Sequence, residues 1–345
     1  MLSGPRSGVS RDADRQNASA KVDWQRRRTE EGVLRLGPLE ARHEDFAQRT
    51  LRHPIGCVGT GLHTGARVSL TLHPSAPDSG IRFLRYDRRG GRPLPARFDQ
   101  VCDTTMCTTL GEPGGLMIAT VEHLMASLAI CEVDNVLVEV GGPELPIMDG
   151  SAAPFVFLIE CAGVVEQDRP RLQIEVLKPV TVSAHGKFAR LEPADGFEVA
   201  CEIRFDHPLI HSQAMRRRFS ADEFKTEIAR ARTFGFAERV EELWSRGLAL
   251  GGSLNNAVVV SRDRVLNEEG LRYPDEFVRH KILDSIGDLY LAGGQLIGRF
   301  TSRCAGHTLH NRLLRALFAD PTAWRVVDGY GPVELEPPAR RAALA

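Results

Sequence analysis

Long apolar runs are missing from this 345-residue chain. No segment approaches the roughly 20 apolar residues of a membrane span, and the N-terminus lacks the apolar stretch of a secretory signal. Cysteine is sparse and scattered. Cys57, Cys102, Cys107, Cys131, Cys161, Cys201 and Cys304 form no CxxC pair. That spacing argues against a zinc ribbon and a dense disulfide framework, and fits a reducing compartment. An excess of either charge is lacking too: the formal net charge of -1 gives no reason to expect nucleic acid or an anionic membrane as partner. A cytoplasmic, monomeric protein without stable membrane insertion is expected.

What remains is an ordinary globular composition, 42% hydrophobic and 26% charged, in a chain long enough for two domains with real cores. Residues 1–48 are polar and rich in Arg, Ser and Asp, and read as a disordered extension. "RVSLTLHP" (67–74), "GIRFLRYD" (80–87) and "DNVLVEVGG" (134–142) read as strands. "GLMIATVEHLMASLAI" (115–130) runs from a short strand into a helix with Thr120 as its N-cap. A turn at Asp149-Gly150 leads into an apolar helix closed by Gly163. "EQDRPR" (166–171) is a polar break that divides a first domain (49–168) from a second (169–330), with a tail at 331–345. The second half repeats the plan, with strands over 172–183, 188–192, 197–205 and 294–300 and helices over 276–291 and 308–318. The expected fold class is α+β. It consists of two similar domains, each a small mixed sheet packed with helices, with the helices meeting in a sandwich around an interfacial active site.

The helix "EFVRHKILDSIGDLYL" (276–291) sets His280, Asp284 and Asp288 four residues apart, on one stripe. Val278, Ile282, Leu283, Ile286, Leu289 and Tyr290 gather opposite. Taken alone, such a stripe reads as a solvated polar face. Glu122 and His123 likewise lie off the apolar side of the first-half helix, in its first turn. Together the two helices suggest more. His280 and Asp284 can share one ion, His123 can complete a mixed three-ligand set, and three ligands with one open position make a catalytic zinc site. Glu122, beside a ligand but not one itself, is placed to act as base. Asp288, one turn further, could orient and charge-stabilise an imidazole from "CAGHTLHN" (304–311), where Gly306 places His307 at a helix start.

The blocks "TVEHLMASL" (120–128), "PIMDGSAAPFV" (146–156), "ARTFGF" (231–236), "LNEEGLRYPDEFVRHKILDSIGDLYLAG" (266–293) and "GHTLHNRLLRAL" (306–317) resemble the signatures of UDP-3-O-acyl-N-acetylglucosamine deacetylases. Those are zinc enzymes of the committed step of lipid A biosynthesis. "GTGLHTGARVSLTLHP" (59–74) resembles their N-terminal block, so the likeness runs across roughly residues 50–320. The resemblance implies one Zn2+ per chain, held by His123, His280 and Asp284, with Glu122 as general base. It implies His307 as proton donor or electrostatic partner of the leaving group, with Asp288 in support. It further implies that Thr233 helps hold the oxyanion, that Phe234 packs on the sugar, and that Lys281 lies near the nucleotide diphosphate. Gly306 and Leu62 join the substrate-binding positions, and the implied substrate is a UDP-linked acylated aminosugar.

Two departures stand out. Where the family often carries a cysteine able to take the metal's open position, "CTTL" (107–110) has Thr109; a family aspartate shortly after ARTFGF is here Arg239. The long acyl chain needs an apolar passage, and residues 234–260, with Leu243, Leu248 and Leu250, are the candidate walls, although ordinary core would read much the same. Two rivals remain: a zinc amidohydrolase acting on another acylated amino sugar, and a catalytically silent ligand-binding homologue. The second would have no use for a base beside an open metal site.

Overall fold

The computed structural model describes residues 46–88, 91–328 and 331–333. Alternation in "RVSLTLHP" buries Val68, Leu70 and Leu72 on one face of a strand, Arg67–Pro74. Val136, Val138 and Val140 do the same in Val136–Val140. These two strands are antiparallel neighbours in a five-stranded sheet ordered Ile55–Thr60, Arg67–Pro74, Val136–Val140, Ile81–Arg85, Leu94–Pro95. Against it lie helix α1 (Glu122–Ile130) and helix α2 (Ala153–Ala162), the latter ended by Gly163 at φ 72°.

The second half centres on Gln295–Arg303, which pairs parallel with Gln173–Val176 and Phe197–Arg204 and antiparallel with Lys187–Glu192. It belongs to an eight-stranded mixed sheet. Within the second half, between the sheet strands Ser212–Arg217 and Gln295–Arg303, come α3 (Ala221–Glu227), opened by a Ser220/Glu223 capping box, and α4 (Val240–Ser245). Helices α5 (Glu276–Tyr290) and α6 (His307–Ala319) follow. The architecture is therefore the expected α+β one, with helices from both halves packed on each other.

The crossing of α1 and α5 sets the site. A Cβ at Gly287 would lie 1.9 Å from the Glu122 carbonyl oxygen and 3.1 Å from the Ala126 amide nitrogen, so only glycine lets the two backbones approach this closely. The polar stripe of α5 is consequently not a solvated face: His280, Asp284 and Asp288 are each 2–3% exposed.

Several expectations need correction. Thr120 does not cap α1; it adopts φ 61°, uncommon for a β-branched residue, and its hydroxyl donates to Glu144 Oε1 at 3.1 Å. The 166–171 segment is no break. Most of it belongs to the strand Val164–Pro170, whose partner Ala47–Leu51 begins inside the segment expected to be an extension. Residues 1–45 and 334–345 lie outside the described residues, and Gly331–Pro332, placed in the tail, is a sheet strand. The 234–260 segment is a compact unit in which Phe234–Phe236 pairs parallel with Val258–Val260 across α4. Among the described residues no helix is long and apolar enough to cross a membrane.

Candidate metal and catalytic site

His280 projects from α5, and its Nδ1–H donates to the Ala231 carbonyl at 3.0 Å. That bond fixes the tautomer and leaves Nε2 with a free lone pair. Burial, only partly offset by Asp284, lowers the His280 pKa to about 3, so the ring is neutral. Nε2 lies 3.3 Å from Asp284 Oδ1, and His123 Nε2 comes within 3.5 Å of the same oxygen from α1. The donor atoms of His123, His280 and Asp284 all fall within 4.8 Å of one another. Asp284 Oδ1 is buried and accepts no hydrogen bond among the described residues. Such an orphan carboxylate oxygen is costly in a protein interior unless a cation satisfies it, and two imidazoles plus a carboxylate are a donor set zinc accepts. The other oxygen, Oδ2, accepts from Lys281 Nζ at 2.6 Å. Burial works against the Asp284 charge, but His280, Lys281 and His123 hold its pKa well below the usual carboxylate range.

The proposed acid and base flank this cluster. Glu122 accepts the Thr108 N–H on Oε2 at 3.1 Å, and its Oε1 lies 3.9 Å from His307 Nε2. Burial raises its pKa, opposed by His307 and His123. His307 opens α6, and its Nδ1–H donates to Asp288 Oδ2 at 2.7 Å. Burial would discharge this imidazole, yet Asp288 and then Glu122 hold its pKa up to about 9. His123, His280, Asp284, Glu122, Asp288 and His307 are thus brought together as their spacing implied.

The remaining expected positions border this centre. Phe234 stacks edge-on against Phe277 at 4.9 Å, its ring lies 6.4 Å from that of His280, and the Lys281 ammonium lies 5.8 Å over it. The Thr233 backbone is tied to Gly150 and Val258, while its hydroxyl takes no partner among the described residues. Gly306 precedes α6 with open space around it. Leu62 accepts the Gly251 N–H at 3.0 Å, which joins its loop to the 234–260 unit. In that unit Leu250 is 52% exposed, as is Trp244, but Leu243 is buried, so Leu243 is core. Thr109 is buried beside Cys107, whose thiol burial pushes up to about 12; Arg239 is exposed and pairs with Glu242 at 3.4 Å.

Sequence reasoning missed four positions. His310 donates Nδ1–H to Asp288 Oδ2 at 2.8 Å, and the Thr108 hydroxyl donates to Oδ1 at 2.6 Å. Buried Glu144 gathers the His63 and Thr64 amides and both the Thr64 and Thr120 hydroxyls, anchoring the 61–65 loop at the start of α1. Buried Glu276 accepts from Arg232 Nε at 2.9 Å and so holds the strand entry that carries Ala231, Thr233 and Phe234. Only His310 had a visible signal, three residues after His307 on the same helix face.

The family model described as UDP-3-O-acyl N-acetylglycosamine deacetylase (LpxC) matches residues 48–319. This chain belongs to that family. Curated relatives bear the name UDP-3-O-acyl-N-acetylglucosamine deacetylase. The protein of Methylococcus capsulatus is 52% identical over 292 residues, 83% of this chain and 96% of the relative. That of Stenotrophomonas maltophilia strain K279a is 50% identical, covering 84% and 96%. That of Nitrosococcus oceani is 52% identical over 282 residues, 81% and 92%. These relatives are matched over 92–96% of their own length, and the family match at residues 48–319 contains the positions of the cluster.

Proposed function

We propose that this LpxC-family chain hydrolyses the N-acetyl group of UDP-3-O-acyl-N-acetylglucosamine, releasing acetate and the UDP-linked acylated glucosamine at the committed step of lipid A biosynthesis. The observation that carries this reading is the orphan Asp284 Oδ1 facing two imidazoles, with a buried carboxylate and a charged imidazole alongside. We assign His123, His280 and Asp284 to one zinc ion per chain. Bound there, zinc supplies Lewis acidity toward water and the amide carbonyl.

The chain's own groups then divide the work. Glu122, fixed by the Thr108 amide, accepts the proton that the attacking water loses as its oxygen bonds to the carbonyl carbon. The Thr233 hydroxyl, without a partner among the described residues, donates to the oxyanion. His307, kept charged by Asp288, passes its proton to the amine as the C–N bond breaks. Phe234 takes the sugar face and Lys281 the diphosphate, with Gly306 and Leu62 bordering the substrate. The exposed side of residues 234–260 takes the acyl chain. Two domains belong to this reading, with the division moved past Pro170 because that strand pairs back onto Ala47–Leu51. So do a monomeric state and a cytoplasmic location.

Acetate release from the acylated UDP-sugar, beside UDP-N-acetylglucosamine and with or without chelator, tests the proposal. Chelator-sensitive release that is faster with the acylated substrate is expected. Zinc-loaded protein that frees no acetate from it would sink the assignment. Leu250→Glu should raise KM for the acylated substrate; an unchanged KM would remove the acyl passage from the picture.

A further inference from the structure

His310 is 1% exposed, polar, and unused by the mechanism above. It lies one turn beyond His307 on α6, and both rings reach the same carboxylate oxygen: His307 Nδ1 at 2.7 Å and His310 Nδ1 at 2.8 Å from Asp288 Oδ2. Thr108 takes the other oxygen at 2.6 Å. On its far side, His310 Nε2 lies 3.4 Å from Ser285 Oγ, whose own proton goes to the Lys281 carbonyl at 2.7 Å. The Phe300 ring meets the imidazole edge-on at 5.5 Å. The ring therefore has a fixed orientation and one Nδ1–H aimed at Asp288.

We propose that His310 is a positioning residue for proton donation: it holds Asp288 Oδ2 from behind and shares that oxygen's charge with His307. The physical reason is twofold. A carboxylate held by three donors on two oxygens cannot rotate away from His307. An oxygen that already accepts one N–H is also a weaker acceptor for a second, so His310 tempers the grip of Asp288 on the His307 proton and keeps that proton transferable. Other charged or titratable groups facing this pair are Glu122 from α1, Asp284 and Lys281 from α5, His63 from the 61–65 loop and Cys201 behind Ser285. None of them donates to Asp288.

The inference rests on His307 as the proton donor, and the tests separate the two. In the zinc-loaded enzyme, His310→Leu should lower kcat on the order of 10-fold with KM and zinc content unchanged, the usual scale for a supporting partner. It should also move the basic limb of the kcat–pH profile upward, since His307 then keeps its proton to higher pH. His310→Asn, whose amide N–H can replace Nδ1–H, should recover most of both. A His310→Leu enzyme with unaltered kcat and limb, or a His310→Asn enzyme as poor as it, overturns the proposal. If His307→Ala is itself fully active, the reading of His307 fails instead. Should His310→Leu not fold, ¹⁵N-histidine spectra of the unaltered enzyme decide. Besides the His280 Nδ1–H bound to the Ala231 carbonyl, two hydrogen-bonded Nδ1–H signals that are both displaced in Asp288→Asn are expected; only one displaced signal overturns it.

Discussion

Gly287→Ala puts the helix crossing to the test. In an ordinary helix interior this exchange stabilises by about 1 kcal/mol through the lower flexibility of alanine. Here the added methyl would sit 1.9 Å from the Glu122 carbonyl oxygen, 2.7 Å from its carbon and 3.1 Å from the Ala126 nitrogen. All three atoms are backbone, so no side chain can swing aside. Reaching the 3.4 Å of ordinary contact requires α1 and α5 to separate by about 1.5 Å. Overpacking of that kind costs about 1–3 kcal/mol, which reverses the sign expected from propensity. The displacement also carries His123 away from His280 and Asp284, in a site whose metal distances tolerate only about 0.2 Å. Zinc affinity should fall, and misplacement of about 1 Å should reduce acetate release on the order of 10²-fold. Thermal denaturation, bound-zinc analysis and the acetate assay report the three effects separately. A variant that melts higher than the parent, keeps its zinc and stays fully active would refute the reasoning.

Glu122→Ala should lower kcat by about 10²–10⁴ while zinc stays bound, because the residue is a base and not a ligand; full activity with zinc retained would exclude it as base. The rate should fall as pH rises through about 9, where His307, charged below that value by virtue of Asp288, loses the proton it donates. His307→Gln should abolish that basic limb, and its survival would place the acid elsewhere. Glu276→Ala should destabilise the fold by about 3 kcal/mol in chemical denaturation, since it strands the 1%-exposed Arg232 guanidinium. An unchanged midpoint would show that Glu269, 58% exposed, suffices as the partner of Arg232.

Much of the centre was legible because helical geometry is local. Three residues at steps of four must share a stripe whatever surrounds them, so His280, Asp284 and Asp288 could be grouped by counting. Strand alternation announced Val68, Leu70 and Leu72 as one buried face in the same way. The capping of α1 was not legible. Thr120 is the right type for a cap, but Glu144, distant in sequence, draws its hydroxyl away and bends the chain into a left-handed turn. The polar 166–171 segment looked like a linker, yet its backbone finds a partner strand more than a hundred residues earlier.

The sequence by itself determined which side chains stand in file on each helix and, through its resemblance, which family the chain joins, because periodicity and residue order are properties of the chain alone. Only the tertiary structure decided that α1 and α5 touch at Gly287, that the polar stripe is buried, and that Asp288 answers two histidines and a threonine. Distances between elements far apart in sequence depend on packing. Burial then sets the charges, leaving His280 neutral and His307 protonated in neighbouring corners of one site.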